Sequence, residues 1–161
     1  ESVIPTVRTG VCSISSTSTG TSCQMPLPVS DMSRAFLTFQ ATSKNKSSSQ
    51  ANIRCSLGGQ HEVKCERADS SGEEVYIRWS VAEFPSGLAV QHLDLGCPFS
   101  IGLSPEVKPE SSFLLHSSMR TGSALDQGAS RAAELISPFE AGFYSSSTST
   151  RGDSTHLRVV E

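Results

Sequence analysis

The residues best suited to chemistry in this sequence are its five cysteines, four histidines and abundant serines. His61, Glu62, Cys65 and Glu66 lie close together, as do His92, Asp94 and Cys97. Zinc sites draw on these residue types, usually with paired spacings such as Cys-x-x-Cys or His-x3-His. Neither spacing occurs. The expectation is therefore polar strand edges plus a disulfide cysteine, with no metal and no cofactor. A nucleophilic serine needs a partner base and a sharp turn of the Gly-x-Ser-x-Gly kind. No such turn is present, so the chain is read as non-enzymatic.

The remaining candidates are for binding or modification. Tyr76 and Tyr144, with Phe143 beside it, are the aromatics that could stack on a sugar ring. Asn45-Lys46-Ser47 is an N-glycosylation acceptor pattern. Arg151-Gly152-Asp153 is the integrin-type tripeptide, placed before the last expected strand. Gly-Asp is also an ordinary turn dipeptide, and the turn is the preferred reading. The run 145–150, all Ser and Thr, reads as a solvated loop.

Composition narrows the partners. Apolar residues make up 36% of the 161 and charged residues 18%, with a net charge of −3. Nucleic acid is excluded, because binding phosphates needs a basic face. No apolar run is long enough to span a membrane as a helix. The opening ESVIPTV reads as a strand inside a mature protein rather than a signal peptide.

Cysteines without metal spacing point to disulfides and an oxidising, extracellular or cell-surface location. The expected pairs are Cys55–Cys65, a hairpin bridge, and Cys12–Cys23, which would close the Ser/Thr-rich segment 13–30. Cys97 is then the odd cysteine and roughly matches Cys12. A Cys12–Cys97 or Cys23–Cys97 bridge is the main alternative.

These residues sit on a duplicated framework. Val75 to Phe84 resembles Ser154 to Glu161, and Glu83 to Glu161 is an offset of 78. Leu57 to Leu135 is also 78, and Phe36-Leu37 to Phe113-Leu114 is 77. Val90-Gln91-His92 takes the part of Val7-Arg8-Thr9. Cys55 and Cys65 fall on Ala133 and Phe143, so both are lost together in the second copy. The predicted architecture is all-β: two tandem antiparallel β-sandwich modules of about six strands each, residues 1–84 and 85–161. Strands are expected at 3–8, 11–15, 34–41, 51–57, 61–67 and 73–84, then at 88–93, 98–103, 112–118, 130–136, 140–146 and 154–160. The Ala-rich run 128–136 could instead form a helical turn or two.

Val75, Ile77, Trp79 and Val81 share one parity and should face the core. Glu83 has the same parity, as does its duplicate Glu161, and a buried carboxylate requires a partner. Arg54 and Arg131 are the expected partners, giving Glu83–Arg54 and Glu161–Arg131 ion pairs. Apolar residues on both parities at Phe36-Leu37 and Phe113-Leu114 suggest strands covered on both faces.

The Val-x-Ile-x-Trp-x-Val-x-Glu-Phe strand, with the Ser-Arg-Ala-Phe-Leu and Ile-Arg-Cys-Ser-Leu strands, resembles tandem-repeat modules of large secreted bacterial surface proteins. More distantly it is similar to H-type lectin-like six-stranded sandwiches. Leu157 stands where both patterns carry Trp. The first resemblance implies an extracellular structural block of a filament, appendage or surface array. Self-association through strand edges or termini is expected, since the chain starts and stops near equivalent points of the repeat. The second implies carbohydrate binding.

Overall fold

The computed structural model describes residues 4–43, 53–68, 70, 72–95, 100–119, 131–145 and 154–161, with 94–95, 118–119, 131–134, 142–145 and 154–158 described by backbone alone. Among these residues the regular structure is strands and two single 3₁₀ turns. The strands are β1 (Thr6–Ile14), β2 (Gly20–Gln24), β3 (Ala35–Ser43), β4 (Ile53–Gly59), β5 (Glu62–Arg67) and β6 (Val75–Glu83). They continue as β7 (Val90–Leu95), β8 (Ser100–Gly102), β9 (Phe113–Met119), β10 (Arg131–Ser137), β11 (Glu140–Ser145) and β12 (Ser154–Val160). The 3₁₀ turns, Met32–Arg34 and Pro109–Ser111, precede β3 and β9.

The strands form four three-stranded antiparallel sheets, ordered β1-β6-β3, β2-β5-β4, β7-β12-β9 and β10-β11-β8. The second pair of sheets repeats the order of the first, strand for strand. Among the described residues no strand of the first six pairs with one of the last six. The repeat extends into the loops. Met25 N donates to His61 O and Val29 N to Gln60 O; Leu103 N donates to Phe139 O and Val107 N to Pro138 O. Each set has its own core. The first joins Ile14, Val29, Leu37, Val63, Ile77, Trp79 and Val81, the second Leu103, Val107, Ala141 and Val159.

Two expectations are corrected, and a third is met. Segments 3–8 and 11–15 are one continuous strand, β1, because β6 pairs along its whole length. The Ser/Thr-rich segment 13–30 is not all loop: β2 lies within it and pairs with β5. The strand expected at 130–136 is present as β10, held opposite β11.

Inner-face register explains an otherwise odd pair of residues. Gly10 lies opposite Trp79, and Leu93 lies opposite Leu157 at the same place in the second set. A Cβ on Gly10 would come 2.2 Å from the Trp79 ring. The large indole needs a glycine beside it; the second set has leucine at both places.

Candidate functional site

The buried polar groups come first, because they decide which charges are free to act. Glu83 is buried on the inner face, as its parity predicts, but its partner is Arg8 and not Arg54. Arg8 Nη2 lies 2.7 Å from Glu83 Oε2, and both side chains are nearly closed to solvent. Arg8 also donates to Leu27 O and Pro28 O, while Glu83 Oε1 accepts from Ser30 N and Asp31 N. The pair thus clamps the 27–31 loop. Arg54 is on β4, in the other sheet, and pairs with Glu66 at 2.6 Å. The Arg54–Glu83 expectation fails because sequence distance hid the change of sheet. The duplicate pairing, Glu161–Arg131, lies outside the described side chains. Arg131 is on β10, whereas Glu161 follows β12 and exchanges backbone hydrogen bonds with Ala89.

Gln91 stands in the second set where Arg8 stands in the first. Its amide donates to Pro105 O and accepts from Ser104 N. A polar inward residue at matching places was the signal for Arg8. Sequence reasoning also missed Arg67, which is buried and donates to Ser15 O, Ser18 O and Glu73 O. Its signal is parity, since Val63, Cys65 and Arg67 all face the core.

The cysteines are bonded Cys12–Cys23 and Cys55–Cys65. Such bonds are compatible with an oxidising environment. The bridges to Cys97 considered above are therefore excluded for Cys12 and Cys23, and Cys97 itself lies outside the described residues. It does not match Cys12: Cys12 lies opposite Ile77, and the corresponding place opposite Thr155 belongs to Leu95. The counterpart of Cys23 is Ile101, since β8 repeats β2. Asn45 and Arg151-Gly152-Asp153 lie outside the described residues, as does most of 145–150.

No group of histidine, cysteine and acidic residues suited to a metal is found among the described residues. Glu62 is held by the Ser22 hydroxyl and by Lys64, which keep its carboxyl below the usual range. No helix is long and apolar enough to cross a membrane among those residues.

What remains is the outward face of sheet β1-β6-β3. Its rows read Val7–Ala82–Phe36, Thr9–Ser80–Thr38, Val11–Arg78–Gln40 and Ser13–Tyr76–Thr42. Val7, Val11 and Tyr76 are exposed. A concavity of about 560 Å³ is lined by residues from the middle of these three strands. Tyr76 donates from its hydroxyl to Glu74 Oε2 at 2.7 Å, and Ser13 donates to Glu74 Oε1 at 2.6 Å. These bonds hold the Glu74 carboxyl below the usual range, Ser13 contributing most, and the carboxylate pushes the Tyr76 phenol up. Thr42, Ser43 and Glu73 complete a hollow beside the ring. The other glycan candidate, Tyr144, is on β11 in a different sheet of the second set, opposite Ala132, with its side chain outside the described ones. The two tyrosines therefore belong to different sheets.

The corresponding face of β7-β12-β9 is not free. His92 Nε2 donates to Met32 O and Ala35 O, 3.0 Å from each. Ser117 donates to Cys55 O at 3.1 Å. Phe113 meets Phe36 edge-on, and Phe36 stacks on Phe84. Val90 is 6% exposed where its counterpart Val7 is 55% exposed, and Val160 is fully buried outside the second core. One sheet face of the second set thus packs on the 3₁₀ turn and β4 end of the first. Phe36 is apolar for that joint rather than for a core.

The fold class is an all-β protein of paired three-stranded antiparallel sheets, tied by two disulfides. Comparison with known proteins found no matching family model, no matching curated protein and no matching solved structure.

Proposed function

We propose that this chain is a non-enzymatic structural building block of an extracellular filament, appendage or surface array, assembling through contacts at strand edges and terminal ends. One observation carries the reading: the two sets of sheets join through unlike surfaces, a sheet face on one and a turn-and-edge end on the other. Contacts between unlike surfaces can repeat without closing, which is how lengthwise arrays grow. The disulfides suit an oxidising location outside the cell. Electron microscopy of the concentrated chain is the test. Elongated particles are expected, and isolated single particles at every concentration would overturn the reading.

A second reading rests on Tyr76. An exposed ring beside a fixed carboxylate and several hydroxyls is the equipment of a shallow sugar site. Retention on a glycan array that is lost in Tyr76→Ala would favour a carbohydrate-binding adhesion module.

A further inference from the structure

We propose that the outward face of β1-β6-β3 receives the Pro109–Ser111 and β10 end of a second copy of this chain. The inference rests on the stacking reading above and specifies its joint. The chain already contains one such joint, so each side of a second can be read from it. His92 and Ser117 present the hydrogen bonds of the internal joint, and Thr9 and Gln40 hold those places in the first set. Both replacements keep a donor, a hydroxyl for the imidazole N–H and an amide for the hydroxyl. The acceptors Met32 O, Ala35 O and Cys55 O have counterparts in Pro109 O, Ser112 O and Ala133 O. Phe113 repeats Phe36 and remains 48% exposed although it already touches that residue.

At two places the open face offers less apolar bulk than the covered one. Thr38 stands where the second set has Leu115, and Ala82 where it has Val160. Such a face tolerates water until a partner arrives, so the joint between copies is weaker than the one within the chain. Arg78 is the single charge in its four rows, and it shares a row with Gln40, which β10 would approach. The contact is head-to-tail, so each added copy exposes a fresh face.

Light scattering of the full chain over a range of concentrations tests the joint. Wild type and Thr9→Ser should form growing species. Val7→Asp and Thr9→Asp, at exposed positions, should associate more than about tenfold more weakly, because each would bury a carboxylate against carbonyls or apolar surface. Unchanged melting would show that these variants fold. Val7→Asp keeps its intact Pro109–Ser111 end, so adding it to wild type should cap growth and shorten the assemblies. If wild type and both Asp variants assemble equally, this joint is wrong while stacking stands on other contacts. If wild type stays monomeric throughout, the stacking reading falls and the joint with it.

Discussion

Arg8 and Glu83 meet at 2.7 Å on the inner face of β1-β6-β3, where neither has appreciable access to water. Their remaining bonds go to the backbone of the 27–31 loop, so the pair fixes both a sheet end and a loop. Removing one partner strands the other. Glu83→Ala or Arg8→Ala should cost about 3–5 kcal/mol. Arg54→Ala breaks a partly exposed pair with Glu66 and should cost less than either. Urea unfolding of the three variants checks this. Equal costs at Arg8 and Arg54 would refute the assignment.

Gly10 and Trp79 form a matched pair. Gly10→Ala drives a methyl into the indole and should destabilise by about 1–3 kcal/mol. Gly10→Leu alone should be worse. Combined with Trp79→Leu it should recover part of the loss, because the leucine pair is the arrangement at Leu93 and Leu157. Thermal melts of the single and double variants measure the coupling.

Glu74 titrates below its ordinary range because Ser13 and then Tyr76 donate to it. A depressed folded value means the contribution to stability is present above the unfolded value and is lost as pH falls through the folded one. Ser13→Ala should therefore move the Glu74 titration upward, and Tyr76→Phe should move it upward by less. Carboxyl-carbon NMR follows it directly. No movement in either variant would contradict the hydrogen-bond assignment.

The two disulfides should open in order. Cys55 and Cys65 are wholly buried, whereas Cys12 is only partly so. Mild reduction followed by alkylation and mass spectrometry should label Cys12 and Cys23 first. Replacing both Cys55 and Cys65 by Ala should cost about 2–5 kcal/mol.

Much of this fold was legible from period and repetition. The alternation Val75, Ile77, Trp79, Val81 placed β6, and the offset of Glu83 to Glu161 aligned β6 with β12. The loss of Cys55 and Cys65 together in the second copy marked them as bonded. Pairing across sheets was not legible. Glu83 announced a buried carboxylate, but Arg8 lies at the far end of the sequence and reaches it only because β1 runs antiparallel beside β6. β2 was hidden because Gly20-Thr21-Ser22-Cys23-Gln24 has the composition of a loop and becomes a strand only against β5. The candidate surface could not be read from sequence at all. Val7 and Val90 look alike, and only packing leaves one open and covers the other.

Sedimentation velocity of the intact, oxidised chain tests the central claim most directly. The account predicts a boundary that moves faster and broadens as concentration rises, through a graded series of species. A single slow boundary of monomer, unchanged from dilute to concentrated solution, would contradict it.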